Sequence, residues 1–379
     1  MEKKIHCPQL ILIGGFLGAG KTSAILRIAK HLSGRGKLVG IITNDQSENL
    51  VDTRLARGVV PLVREVPGGC FCCRSDVLAS ILVSLATDNQ PDFVIAEPVG
   101  SCTDIIATVV KPLMNKFETP FRIARYTVLL DGIRALRGMT RNEKGPQFHE
   151  DIEYIHTKQL EEADIIAVNK SELLNSKSKR EILDYLAARF PNASLKLVSA
   201  RSGTGILQLL NDILAEPSPQ RDSIQVDYKR YASGEARLGW VNMLLQLRFS
   251  SAPQKIKRGH LARIAERVRD SLARQNGHVA HFKLSLHTKV RTRESPNGID
   301  RVYGVCQFAG TGSEVSEVLS MNSPHSSYWI TLNLRAEGSP RLLDGVVRAE
   351  IKQAFADGKI RTVRCSAFRP AAPKPIYRI

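Results

Sequence analysis

Three cysteines fall within four positions, Cys70-Phe71-Cys72-Cys73, directly behind Gly68-Gly69. Thiolates suit soft or borderline cations, and zinc takes four tetrahedral ligands with Zn–S bonds of about 2.3 Å. Cys70 and Cys72 are two apart and can point to one side of an extended segment. The adjacent Cys72 and Cys73 diverge there unless the loop is bent. Three thiolates cannot close a four-coordinate site, and an open, exchangeable site is what a carrier needs and a structural zinc does not. The competing reading of the same thiols is a set of small buried hydrophobes or a redox group.

A second chemistry is written at Gly15-Phe16-Leu17-Gly18-Ala19-Gly20-Lys21-Thr22, followed by Ser23. It matches the phosphate-binding pattern GxxxxGK[ST], placed after an apolar strand and before a helix carrying Ile25, Ile28, Ala29 and Leu32. Gly15, Gly18, Ala19 and Gly20 let backbone N–H groups wrap phosphates. Lys21 reaches the β- and γ-phosphates, and Thr22 ligates magnesium at the helix N-terminus. Farther on, Asn169-Lys170-Ser171-Glu172 follows the strand-like run DIIAV and is similar to the NKxD guanine-recognition motif. Its acidic residue pairs with the guanine N1–H and exocyclic amine, which adenine cannot match. Here that residue is Glu172, one methylene longer than Asp, so GTP is favoured while an ATPase or small-molecule kinase stays open. As a bare sequence, NKSE is also an ordinary polar helix start.

These loops need rigid elements behind them. Short apolar runs at Leu10–Ile13, Leu38–Thr43, Phe93–Ala96, Thr127–Asp131, Asp164–Val168 and Leu195–Ser199 alternate with helical patterns, which predicts βαβ units and a parallel sheet between helices. The rhythm stops at Glu216-Pro217-Ser218-Pro219. The expected organisation is therefore a P-loop NTPase domain of α/β class over 1–220 and a smaller C-terminal α+β domain over 221–379. The latter is read as strand 239–250, helix 259–275, strands 279–289, 301–308 and 327–335, helix 341–357 and strand 361–368, in two βαβ-like halves.

Composition bounds the class. The 379 residues are 43% hydrophobic and 24% charged, an ordinary globular balance. Seven cysteines, three of them crowded, do not make a secreted disulfide framework, so reduced thiols and a cytoplasmic location are expected. The run LILIGGFLGAG is too short to cross a bilayer, and no membrane association is expected. Of the net charge of +17, residues 221–379 carry 27 Lys and Arg against 13 Asp and Glu. Aromatics are only 6%, which argues against nucleic acid as a partner and for a solvated basic surface.

Taken together, PGGCFCCR, GGFLGAGKT and NKSE resemble the CobW-type family of P-loop GTPases, relatives of the metallochaperones UreG and HypB. The resemblance covers roughly residues 8–215. It implies GTP hydrolysis coupled to handling of zinc, or of a neighbouring divalent metal such as cobalt, held by Cys70, Cys72 and Cys73. It also implies a client metalloprotein or metal-cofactor pathway, and it is compatible with a homodimer. Asn44-Asp45 with Glu48 and Asp52 resembles the family's acidic switch segment, and Glu97-Pro98-Val99-Gly100 its ExxG element. Ser199-Ala200 resembles the loop facing the guanine. The implied roles are catalysis by Lys21, Thr22 and Glu97, and guanine contacts from Asn169, Lys170 and Glu172. Magnesium would be held by Thr22 with help from Asp45 or Glu97. The fourth metal ligand would be water, a carboxylate such as Glu48 or Asp45, or a group on the client. A nucleotide-dependent regulatory or assembly module, whose cysteines sense metal or redox state and deliver nothing, is the alternative.

Overall fold

The computed structural model describes residues 7–44, 51–66, 68–117, 119–139, 148–215, 222–250, 252–290, 299–309, 315–319 and 324–379. Asp45, Glu48 and the expected boundary at Glu216–Pro219 lie outside the described residues. The chain divides into two compact units, one of Met1–Glu48, Ala56–Gly234 and Ala372–Ile379, the other of Asn49–Leu55 and Glu235–Ala371. The first unit thus takes back residues 372–379 after the chain has built the second.

All six strands expected in the first unit are present, and an edge strand, Leu62–Val66, is added. The sheet runs Leu62–Val66, Val39–Asn44, Phe93–Glu97, Gln9–Gly14, Thr127–Asp131, Ile165–Asn169, Ser194–Leu197, with the short Arg122–Ile123 also pairing with Gln9–Leu10. The pairings are parallel. Strands such as Val39–Asn44, Thr127–Asp131 and Ile165–Asn169 are buried along their whole length, because helices cover both faces of such a sheet. Leu62–Val66 reads LVREV and is only partly buried, so its two charged residues hide it from an apolar pattern.

Register sets the site. Thr43 lies opposite Glu97, and Asn44 opposite Val66. The chain therefore leaves these three neighbouring strands at one level, at their carboxyl ends. Gln9–Gly14 ends at the same edge and runs straight into the glycine loop. Ligands of open α/β sheets bind at such an edge.

The second unit is an antiparallel sheet in the order Ser316–Leu319, Ile299–Phe308, Val279–Val290, Ser327–Glu337, Leu238–Phe249, Gly358–Phe368. Helices His260–Ala273 and Pro340–Ala354 bury Leu261, Ile264, Val268 and Leu343, Val347, Ile351 in one apolar cluster with the sheet residues Val241, Met243, Phe282 and Leu332. The spacing puts Arg263, Arg267 and Arg274 on another face of their helix; Arg263 and Arg274 are exposed there, while Arg267 is half-buried and pairs with Glu350 at 3.2 Å. The two expected β–α–β passages exist but are split. Leu238–Phe249 and Val279–Val290 of the first are separated by Ser327–Glu337 of the second, a ferredoxin-like arrangement. Among the described residues no helix is long and apolar enough to cross a membrane.

Candidate functional site

The glycine loop is held from behind by the neighbouring strands. Gly15 has φ 131°, and a Cβ there would collide with the Leu129 carbonyl oxygen; Gly20 has φ 93°, and a Cβ there would meet the Asn169 amide. Only glycine fits either position. Lys21 is buried and its ammonium donates back across the loop to the Gly15 carbonyl at 2.9 Å. Thr22 opens the helix Lys21–Ser33 and its hydroxyl donates to Glu97 Oε1 at 3.2 Å. Two hard oxygen donors thus meet beside the loop, a pairing that fits magnesium. Ser23 is half-buried on the same turn.

Asn169 reads as a structural hub. Its amide donates to the Ala19 carbonyl and accepts from the Ala200 N–H, both at 2.8 Å, so it ties the glycine loop to the Ser199-Ala200 loop. Lys170 adopts φ 61° and pairs with Asp131 at 2.6 Å. Burial alone would raise the Asp131 pKa, but Lys170 and Arg134 beside it outweigh burial and hold it below the usual carboxylate range. Ser199 is buried and accepts from the Ser202 N–H at 3.0 Å, while Glu172 is exposed on a short turn. Arg134, unremarked in the sequence, is buried beneath the loop. Its guanidinium donates to the Leu17 carbonyl at 3.1 Å and sits 4.8 Å from the Phe16 ring centroid.

The cysteines sit in a bent loop. Phe71–Arg74 forms a 3-10 turn closed by the Cys73 N–H on the Cys70 carbonyl at 3.0 Å. In an extended segment Cys73 would diverge from Cys72; in this turn all three sulfurs converge. Cys70 and Cys72 Sγ are 2.6 Å apart, Cys70 and Cys73 3.3 Å, and Cys72 and Cys73 3.7 Å. In a tetrahedral zinc site the S···S edge is about 3.8 Å for bonds of about 2.3 Å, so an entering ion must part chiefly Cys70 from Cys72. Among the described residues these three form a group of metal-capable side chains within 4.8 Å of one another. His149, Glu153 and His156, which share one helical face at i, i+4 and i+7 and could bind a divalent ion or simply form a solvated helix surface, do not form another. His149 instead caps its helix, accepting from the Asp151 N–H, and His156 packs on Phe16, where burial and then Arg134 push its pKa down to about 3.

Three segments hold the cysteine loop. Asn44, the last residue of its strand, donates to the Val66 and Gly69 carbonyls at 2.9 and 2.6 Å and accepts from the Phe71 N–H at 3.0 Å. From the other side, residues 372–379 lie along it: the Lys374 N–H donates to Cys73 Sγ at 3.2 Å and the Ile376 N–H to the Cys72 carbonyl at 3.1 Å. This strap is fastened by Arg378, which pairs with the buried Asp104 at 2.8 Å. The third segment follows Glu97 and brings a fourth thiol. Cys102 is buried, and its thiol acts on Cys70 and Cys72. The thiols of Cys102, then Cys72 and Cys73, lower the Cys70 pKa well below that of a free thiol against the opposing effect of burial. Cys72 is raised, again chiefly through Cys102, and Cys73 is pushed up to about 11, chiefly by Cys70.

A family profile described as CobW/HypB/UreG, nucleotide-binding domain, matches residues 9–195. This domain belongs to the CobW/HypB/UreG family. The chain is 26% identical over 216 residues to the zinc chaperone CobW of a Sinorhizobium species, covering 51% of this chain and 58% of that one. It is 29% identical over 174 residues to the Escherichia coli K12 zinc chaperone YeiR, covering 45% and 49%. The chain spans about half the length of these curated relatives. Among solved structures, Zn(II)-bound YjiA GTPase from E. coli is similar at 15% identity and TM-score 0.34, over 92% of this chain and 99% of that one. HypB from Helicobacter pylori in complex with nickel is similar at 15% identity and TM-score 0.40, over 57% and 92%.

Within the CobW-type domain, Cys102, Asn44 and Arg134 carry contacts that sequence reasoning left out. Cys102 had one available signal, its place two residues beyond Gly100 of the ExxG-like element. Asn44, which by sequence resembles a switch residue, is the anchor of the thiol loop.

Proposed function

We propose that this protein is a GTP-hydrolysing metal chaperone or insertion factor that takes up zinc, or a similar divalent ion, and couples its handling to the nucleotide. One observation carries the reading: the thiol loop is hydrogen-bonded to Asn44, where one strand leaves the sheet beside the phosphate loop, and Cys70 is influenced by Cys102 on the segment that follows the Thr22 partner Glu97. Ordering either segment around a nucleotide must then act on the thiols.

In this reading Gly15, Gly18, Ala19 and Gly20 present their amides to the phosphates with Lys21. Thr22, with help from Asp45 or Glu97, would hold magnesium, which supplies charge neutralisation at the transferred phosphoryl group. Ser23 extends the cradle. Asn169, Lys170 and Glu172, with Ser199 and Ala200, take the guanine. Catalysis falls to Lys21, Thr22 and Glu97 through in-line attack of water on the γ-phosphate. Cys70, Cys72 and Cys73 hold the metal, with water, a switch carboxylate such as Glu48 or Asp45, or a client group at the fourth position, and a client metalloprotein receives it.

The test is zinc affinity, measured against a competing chelator, in the GDP form and with a non-hydrolysable GTP analogue. Couplings of this kind are typically about 1–3 kcal/mol, or roughly 5- to 150-fold, and act reciprocally on nucleotide affinity. Equal affinities in the two forms would reduce the cysteines to a sensing or structural site. ATP competing as well as GTP would overturn the guanine assignment.

A further inference from the structure

We propose that residues 372–379 are a latch over the thiol cluster, so that a metal ion enters and leaves the site of Cys70, Cys72 and Cys73 only when this strap lifts. The inference rests on the metal-binding reading above and adds to it the control of exchange.

The strap reads Ala372-Pro373-Lys374-Pro375-Ile376-Tyr377-Arg378-Ile379. Proline fixes its own φ and turns the residue before it away from the helical region, so Pro373 and Pro375 stiffen this stretch in an extended form before it docks. They also remove two backbone N–H groups, which leaves those of Lys374 and Ile376 as the donors of residues 373–376. Both are used on the cysteine loop: Lys374 donates to Cys73 Sγ at 3.2 Å and Ile376 to the Cys72 carbonyl at 3.1 Å. Cys70 and Cys72 are buried, whereas Cys73, the sulfur beneath the Lys374 amide, is half-buried. The strap therefore crosses the side from which an ion must arrive. The cluster must also widen to admit that ion, because Cys70 and Cys72 Sγ lie 2.6 Å apart against the S···S edge of about 3.8 Å in a tetrahedral zinc site. With the backbone of Cys72 and the sulfur of Cys73 both held by the strap, widening and lifting go together.

The far end of the strap is pinned. Arg378 Nε donates to Asp104 at 2.8 Å and its Nη2 to the Ile224 carbonyl at 2.7 Å. The Ile379 N–H donates to the Ala107 carbonyl at 3.0 Å, and its own carbonyl accepts from the Ser223 hydroxyl at 2.6 Å. Tyr377 stands edge-on to Phe117, with the Lys116 ammonium 3.9 Å from its ring centroid. All of these partners belong to the first unit, as the strap does. A tail that merely packs buries apolar side chains. Here Ile376 and Ile379 are exposed, as are Lys374 and Arg378, and of residues 372–379 only Pro373 is buried. The hold is thus polar and made at a few points, which is the kind of segment that opens locally while the rest of the domain stays folded. One of those points is a ligand sulfur, and a donor on a ligating group fixes how that group is presented.

Stopped-flow exchange of zinc decides the matter on the full chain, with release followed into an excess of a chelating dye and uptake from a zinc buffer. Lys374→Pro removes the amide on Cys73 and, set between two prolines, keeps the strap extended; Arg378→Ala frees the far end. Release and uptake should quicken together, about three- to tenfold in Lys374→Pro, which loses one ordinary hydrogen bond, and more than about tenfold in Arg378→Ala, which loses a charge-assisted one. In the metal-free protein, the Ile376 amide of Lys374→Pro should exchange hydrogen faster by a similar factor. Rates within about twofold of the parent in both variants, the scatter of ordinary surface changes, would overturn the latch while leaving the chaperone reading intact. Faster release with unchanged uptake would also overturn it, since the strap would then orient Cys73 without gating the site. An unaltered chain that binds no zinc would overturn both. Should Arg378→Ala fail to fold, Lys374→Pro, whose native side chain is exposed, decides alone.

Discussion

Asn44→Ala should release the cysteine loop without touching a thiol. The side chain makes three hydrogen bonds of 2.6–3.0 Å, two as donor to the Val66 and Gly69 carbonyls and one as acceptor from the Phe71 N–H. Each bond contributes about 0.5–1.5 kcal/mol net, and a buried donor left unpaired costs about 1–3 kcal/mol. Phe71 is fully buried, so its N–H is the group most exposed to that penalty, whereas the Gly69 carbonyl is near enough to solvent to find water. The expected loss is ~2–3 kcal/mol, which for a domain of this size lowers Tm by roughly 5–10 °C. Thermal and urea unfolding measure the global loss. Zinc affinity by chelator competition measures the local one and should also fall, because an untethered loop must be ordered again when the ion binds. A variant within ~0.5 kcal/mol of the parent with unchanged zinc affinity would show that Asn44 does not hold the loop, since changes of that size are ordinary for surface positions.

Two further outcomes follow from the same contacts. Arg378→Ala removes the charged partner of Asp104, and the Lys374, Ile376 and Ile379 amides that dock residues 372–379 should exchange hydrogen at least about tenfold faster, given that charge-assisted bonds are worth about 1.5–3 kcal/mol; unchanged exchange would mean that the strap is fastened elsewhere. Glu162 is buried against Thr103 and Ile106, and burial pushes its pKa up from the ordinary 4.5 to about 8. The folded state therefore binds more protons than the unfolded state between those values. Its contribution is fully present below pH 4.5 and is lost as pH rises through 8. Glu162→Gln should flatten the fall in unfolding free energy across that window, and an identical pH slope in parent and variant would contradict the assignment.

Local chemistry made much of this protein legible in its sequence. Gly15 to Thr22 could be placed between a strand and a helix because glycine freedom, a lysine and a hydroxyl at fixed spacing answer one local need. The six main strands of the first unit announced themselves as apolar runs because a sheet covered on both faces leaves them no polar side. Leu62–Val66 escaped, since an edge strand carrying Arg64 and Glu65 has no such run. Cys70, Cys72 and Cys73 were recognisable as candidate ligands, but their convergence depends on a 3-10 turn that Asn44 holds from another strand. Neither the arrival of Cys102, the return of residues 372–379, nor the seating of Arg134 under Leu17 has a periodicity to betray it. Residue type and spacing carry what a few neighbouring residues impose on one another. The seating of the thiol loop depends on which strand ends emerge side by side, and that is a property of sheet order and register, decided only when the chain packs.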